Sequence, residues 1–256
     1  MSKFEEETAA RIAAIPEDKE MCDSAAQFMQ ASITSNYSYN FSCLGRPIIQ
    51  YPQDMVAMQE LIWEVKPDLI IEAGIAHGGS LILSASMLAL LDMCDAIAEG
   101  ATIDPNVSRR KVLALDIDIR EHNREAIEQH PMSSRIEMIE GSSIDADIIS
   151  RVRAIASNHS RVMVCLDSNH THAHVLAELE AYAQLTTVGS YCVVFDSIVE
   201  DLPNEMFPDR PWGPGDNPKT AVWEYLKTHN EFEIDQSIHN KLLITVAPDG
   251  YLKRVC

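Results

Sequence analysis

The sequence predicts an α/β protein with a doubly wound, mostly parallel sheet, a C-terminal antiparallel strand pair and a helical N-terminal extension. Three observations carry this. Short apolar runs at 68–73, 111–116, 135–139, 161–166 and 189–195 alternate with helix-like segments near 79–97, 121–129, 144–156 and 171–184. Strands separated by helices imply parallel pairing through right-handed crossovers. The segment before residue 66 is polar and helix-like, and two short apolar runs at 232–234 and 242–246 follow the last parallel strand.

Residues 1–65 read as the helical extension, with an irregular break at 32–47 and a helix over 53–65 ended by Pro67. Residues 66–256 read as one doubly wound domain, with a helix near 219–228 before its terminal hairpin. Between Val199 and Lys219 lies a loop holding Pro203, Pro208, Pro211, Pro214 and Pro218. Loops longer than about 15 residues in compact domains are usually either functional or disordered, and a plain surface loop is the alternative here. Phe207 and Trp212 make this one a candidate substrate cap.

The chain has 39 acidic and 20 basic residues, a net charge of −19. A nucleic-acid partner is disfavoured, because phosphate backbones are bound mainly by Lys and Arg. A polyanionic membrane surface is disfavoured likewise. No uninterrupted apolar run approaches the ~18 residues that span a bilayer. The start, Met1-Ser-Lys-Phe-Glu-Glu-Glu-Thr8, lacks the basic-then-apolar order of a signal peptide. The six cysteines form no C-x-x-C pair, and Cys165 and Cys192 sit in apolar runs as buried thiols. These features point to a cytoplasmic, reducing compartment and no structural zinc.

The first parallel strand, Asp68-Leu-Ile-Ile-Glu72, runs into Ala73-Gly74-Ile-Ala-His77-Gly78-Gly79-Ser80 and then an apolar helix. In open parallel sheets the ligand crevice lies at strand carboxyl ends where the winding reverses. Glycines admit a ligand close to the backbone, and the helix start presents free amides. Glycines spaced as here, with Asp116 far more than ~20 residues beyond, do not make a dinucleotide fingerprint. No triphosphate-binding G-x-x-x-x-G-K-[ST] run is present either.

Glu72-x-Gly74 followed by an acid on the second strand resembles the class I S-adenosylmethionine-dependent methyltransferases, which have a Rossmann-like fold. The resemblance implies that Asp116 accepts hydrogen bonds from the ribose hydroxyls. Glu72 would support the turn and the cationic end of the cofactor. Gly74, His77, Gly78, Gly79 and Ser80 would meet its methionyl tail, and Ser142 or Ser143 the adenine edge.

The fourth strand ends Leu166-Asp-Ser-Asn-His170-Thr-His172-Ala-His174, and the fifth ends Val194-Phe-Asp196. Acids closing apolar strands need a partner, a cation or a substrate. Asp167 and Asp196 together read as an oxygen-donor pair for Mg²⁺, which could lower the pKa of a substrate hydroxyl. The alternative for each is helix capping. His170, nearest the strand end, is the candidate general base or substrate contact, and Asp167 the second catalytic residue. His174 reads as structural, although His170, His174 and Asp167 could also mimic a transition-metal triad.

Pro67-Asp-Leu-Ile-Ile-Glu-Ala-Gly-Ile-Ala-His-Gly-Gly-Ser80, Ala114-Leu-Asp-Ile-Asp118, Ile139-Glu-Gly-Ser-Ser143 and Leu166-Asp-Ser-Asn-His170 together resemble the cephalosporin hydroxylase family, over roughly residues 44–250. The family has the class I methyltransferase fold. Its metal site uses the aspartate of the LDSxH run and an adjacent Glu-Asp closing the next strand. Phe195 stands where that glutamate would be, so one ligand is missing, to be rebuilt from Glu200 or Asp201 or left unfilled.

The expected function is O-methyl transfer from S-adenosylmethionine to a hydroxyl of a small molecule or sugar, with Mg²⁺ assistance. The alternatives are an oxidative, hydroxylase-type metalloenzyme and a methyltransferase-like binding protein without catalysis. Tyr37, Tyr39 and Phe41 are candidate pocket or interface aromatics, Arg46 or Arg210 could hold an anionic group, and a homo-oligomer is expected.

Overall fold

The computed structural model describes residues 2–105 and 107–256. A seven-stranded sheet, in the order β5-β4-β3-β6-β7-β9-β8, organises them. Its strands are β3 (Leu69–Ala73), β4 (Lys111–Asp116), β5 (Ile136–Glu140), β6 (Val162–Leu166), β7 (Tyr191–Val194), β8 (Phe232–Ile234) and β9 (Tyr251–Arg254). The chain enters at β3, winds outward through β4 and β5, then returns to β6 and β7 on the other side. All four of these pairings are parallel. The winding therefore reverses between β3 and β6, at the carboxyl ends that carry Gly74 and Asp167.

Alternation along the strands sorts side chains onto two cores. Ile70, Val112, Met163 and Val193 face α3 (Pro52–Val65) and α4 (Gly79–Glu99). Leu69, Ile71, Leu113, Val164 and Cys192 face α6 (Ala146–Ala156), α7 (His172–Tyr182) and α8 (Pro218–Tyr225). Successive strand side chains point to opposite faces, so strands buried on both faces read as continuous apolar runs. The second crossover helix, α5 (Glu121–Glu128), is short and buries only Asn123 and Ile127.

The helix α4 has a mean hydropathy of 1.8 over its most apolar window and is long enough to cross a bilayer by length and composition. Counting uninterrupted apolar residues passes over it. In the structure Leu81, Ile82, Ala85 and Leu88 are buried, and Asp92 pairs with Arg110 and Arg135. The helix is thus tied to β4 and to the entry of β5.

Before the sheet come α1 (Lys3–Ala14), α2 (Lys19–Thr34) and a hairpin of β1 (Phe41–Cys43) and β2 (Arg46–Ile48). Ser2 caps α1 in a reciprocal box with Glu5, and Asp18 caps α2. The hairpin falls within the expected irregular break, where its three-residue strands leave no periodic signal. It lies over the start of α4.

The C-terminal antiparallel pair exists, but its second strand differs from the expected one. β8 pairs with β9 in the register Phe232↔Arg254, not with residues 242–246. Asp235 caps a short helix, α9 (Gln236–Leu242), which takes up that segment. Residues 245–246 instead close on the buried Asp54 of α3. The carboxylate accepts from the Val246 amide at 3.0 Å, from the Tyr251 hydroxyl at 2.9 Å, and from the Thr245 hydroxyl. Burial still pushes the Asp54 carboxyl up to about 6.

Candidate active site

The turn after β3 is built for close contact between strand ends. Gly74 has φ +98°, and a Cβ there would lie 2.0 Å from the Asp167 carbonyl oxygen. Only glycine lets the two strand exits meet. Gly78, at φ +81°, abuts Ile127, and Gly79 abuts Pro47 and Ile48 of the hairpin. The glycine cluster is therefore explained largely by protein packing, which a linear motif does not show. The Arg46 guanidinium donates to the His77 carbonyl at 3.0 and 2.6 Å and to Asn123 Oδ1 at 3.0 Å. Asn123 in turn donates to the Ala76 carbonyl at 2.8 Å. Sequence reading missed Asn123, whose role depends on a contact 47 residues away.

Glu72 and Ser80 line a small, mostly apolar cavity with Gln50, Asp54, Asp167 and Phe195. Burial pushes the Glu72 carboxyl up to about 7, against a hydrogen bond from Ser80. Gly74, His77, Gly79 and Ser80 border a second narrow space beneath Pro47–Gln50. Gly78 borders none of these cavities.

Asp116 sits at the exit of β4. Its Oδ2 accepts from the Ile75 amide at 2.8 Å and its Oδ1 from the Asp118 amide at 3.1 Å. Each oxygen keeps acceptor capacity. Asp116, Ser142, Ser143, Asn169 and His174 line one cavity of about 130 Å³. His174, read from sequence as structural, faces this cavity, with Nε2 3.1 Å from Ser143 Oγ and 3.4 Å from Glu178 Oε1. Glu178 is fully buried, accepts from Ser168 at 2.6 Å, and leaves Oε2 without a partner. His174 is thus held away from His170, and the alternative triad of His170, His174 and Asp167 is not assembled.

Ser168 also borders a second cavity, of about 430 Å³, lined by Asp167, His170 and Asp196. Ligand-capable atoms of Asp167, His170 and Asp196 lie within 4.8 Å of one another at its floor. The His170 Nε2 is 3.1 Å from Asp196 Oδ2. Asp196 adopts the left-handed conformation, with φ 54°, which turns it out of β7 toward the crevice. Gln50 Nε2 donates to Asp167 Oδ2 at 3.2 Å, while its own buried Oε1 has no partner. Desolvation, then Asp196 and Glu72, hold the Asp167 carboxyl well above its usual range.

These observations test the fit of the expected groups. Glu72 and Asp167 line one cavity without an ion-pair partner among the described residues, so a cationic ligand relieves their desolvation. Two carboxylates facing each other across 4.8 Å or less suit a divalent cation. Phe195 is buried in the core and offers no donor. Glu200 and Asp201 do not replace it. Glu200 accepts from the Gly215 amide at 2.7 Å and from Asn217, and Asp201 pairs with Lys219 at 2.7 Å.

Those same contacts fold the 199–219 loop over the cavity. Leu202, Met206, Phe207, Arg210 and Trp212 line it. The Trp212 ring meets His170 edge-on at 5.2 Å and packs on Phe207 at 5.2 Å. Of the earlier aromatics, Tyr39 lines the cavity. Tyr37 and Phe41 pack on each other at 5.2 Å, and Tyr37 continues to Tyr51 at 5.8 Å.

Residues 35–255 match the family described as Rhamnosyl O-methyltransferase/CmcI. The Rhamnosyl O-methyltransferase of Mycobacterium tuberculosis (strain H37Rv) is 30% identical over 206 residues, covering 78% of this chain and 73% of that protein. Its namesake in Mycobacterium leprae is 27% identical over 235 residues, covering 91% of each. Among solved structures, a CmcI structure with Mg and SAM superposes with a TM-score of 0.54 at 18% identity, over 85% of this chain and 78% of that one. CalS11, a TDP-rhamnose 3′-O-methyltransferase, superposes at 0.50 and 15% identity, over 92% and 91%. Both share the fold described above.

Proposed function

The chain belongs to the rhamnosyl O-methyltransferase/CmcI family, and on that premise we propose that it is an S-adenosylmethionine-dependent O-methyltransferase acting on a sugar hydroxyl. The observation that carries this reading is a pair of cavities that share Ser168 at the exit of β6. One is lined by Asp116 and two serines, and the other by His170 and Asp196. The first suits an adenosine, and the second an acceptor. The relatives' names support a sugar as the acceptor.

S-adenosylmethionine, when bound, supplies an electrophilic methyl group next to a sulfonium. Asp116 holds the ribose hydroxyls, and Ser142 and Ser143 face the purine. Glu72 and the turn from Gly74 to Ser80 carry the amino-acid end, where the cationic charge restores the ionised form of Glu72. His170, oriented by Asp196, would take the proton from the acceptor hydroxyl. Positioning supplies most of the acceleration, since the displacement is in line and needs no protein nucleophile. Asp167 and Asp196 would hold Mg²⁺, which would lower the pKa of the acceptor hydroxyl. The loop over 199–219 covers the acceptor and excludes water.

Calorimetry with S-adenosylhomocysteine tests the reading directly. Saturable binding is expected, and no binding at millimolar concentration would overturn it. The exposed apolar side chains of Val56 and Trp63 on α3 and of Leu90, Met93 and Ile97 on α4 support a homo-oligomer, which light scattering of the purified protein checks.

A further inference from the structure

We infer that the sugar acceptor carries an oxyanion, a phosphoryl or carboxylate group, held by Arg210. The inference rests on the methyltransferase reading and names the substrate class of the same site. The acceptor cavity is electrically polar. Asp167 and Asp196 lie at its floor, and Arg210 on the covering loop is the one Lys or Arg among its lining residues.

Two arginines are candidates for an anion from sequence, and the structure separates them. Arg46 is consumed by the His77 carbonyl and Asn123. Arg210 has no hydrogen-bonded or ion-paired side-chain partner among the described residues, in a chain with 19 excess negative charges. Its guanidinium lies 5.4 Å from the centre of the Trp212 ring. That same ring packs against His170, so one indole separates the free guanidinium from the base.

The loop that carries Arg210 is anchored beyond it, while the Arg210 side chain itself is exposed. Glu200 ties down Gly215 and Asn217, Asp201 ties down Lys219, and Asp216 accepts from the His172 amide at 2.7 Å. Guanidinium presents paired donors that match phosphoryl and carboxylate oxygens. A positive cover orients an acceptor with its anionic end toward Arg210, which leaves its hydroxyl toward His170.

The test is calorimetry on the full chain saturated with S-adenosylhomocysteine, titrated with glucose 1-phosphate, glucuronate and methyl α-glucoside. At least one anionic sugar is expected to bind more tightly than the neutral glycoside. A preference for glucose 1-phosphate identifies a phosphoryl group, and one for glucuronate a carboxylate. Arg210→Gln should weaken the anionic ligand by at least about tenfold while S-adenosylhomocysteine affinity is kept, and Arg210→Lys should lose less. The inference is overturned if the neutral glycoside binds as tightly as both anionic sugars, if neither anionic sugar binds at millimolar concentration, or if Arg210→Gln binds them as the wild type does. Failure of the wild type to bind S-adenosylhomocysteine overturns the methyltransferase reading instead.

Discussion

His170 and Asp196, from the exits of two adjacent parallel strands, meet at 3.1 Å through Nε2 and Oδ2. The contact orients the imidazole. Asp196→Asn keeps the shape and removes the charge. Turnover on the acceptor that the wild type methylates should fall by about 10²-fold or more. S-adenosylhomocysteine affinity should stay within about twofold, because Asp196 borders the acceptor cavity only. Equal turnover in the variant would remove His170 from the base role.

Asp116 and Asp167 line different cavities, to which the proposed function assigns different ligands. Asp116→Ala should weaken S-adenosylhomocysteine by about tenfold or more, the scale of hydrogen bonds to a charged acceptor. Asp167→Asn should spare that affinity and lower turnover. Calorimetry on both variants checks the division, and a reversed pattern would exchange the two cavities' roles.

Glu72 makes the ligand-free protein pH-sensitive in a defined sense. Its carboxyl is raised from 4.5 to about 7 in the folded state, so the folded chain holds a proton that the unfolded chain has lost. Stability therefore falls as pH rises from about 4.5 through about 7. Asp54, raised to about 6, acts in the same direction. Glu72→Gln should flatten the dependence of melting temperature on pH across that window and raise it at pH above 7. The same substitution should weaken S-adenosylmethionine, whose cationic end loses its counter-charge. A variant with the wild-type pH profile would contradict this account of Glu72.

Phe195 occupies the place where the resemblance implies a third metal carboxylate. Phe195→Glu should tighten Mn²⁺ or Mg²⁺ binding, on the order of tenfold, at a stability cost from burying a charge. Titration calorimetry with each ion reads the first effect and thermal melting the second. Unchanged ion affinity in a folded variant would place the metal elsewhere.

Gly74 and Gly189 give a paired test of backbone strain. Both have positive φ, +98° and +82°, but a Cβ at Gly74 strikes the Asp167 carbonyl whereas one at Gly189 meets nothing within 4 Å. Gly189→Ala should cost about 1 kcal/mol. Gly74→Ala should cost more than about 3 kcal/mol, since two strand exits must part. Denaturant unfolding of the two variants measures the difference.

Much of the fold is legible in the chain because it is written locally. The parallel strands and the helices α4 to α7 follow from apolar runs and their spacing, and Asp116, Asp167 and Asp196 are found because each closes such a run. The β1–β2 hairpin is too short for a period, and the true partner of β8 lies beyond a helix capped by a single aspartate, Asp235. Neither leaves a local signal.

The sequence by itself determined the doubly wound sheet, the reversal point between Gly74 and Asp167, and the identity of the acids and the histidine placed there. Only the tertiary structure decided that Arg46 is spent on the His77 carbonyl while Arg210 has no hydrogen-bonded or ion-paired side-chain partner among the described residues, that His174 shares a cavity with Asp116 rather than with His170, and that Glu200 and Asp201 hold a loop instead of a metal. The physical reason is range. Hydrophobic period and strand-end position are properties of neighbours in the chain, whereas a charged side chain's role is set by whichever distant donors and acceptors fold against it.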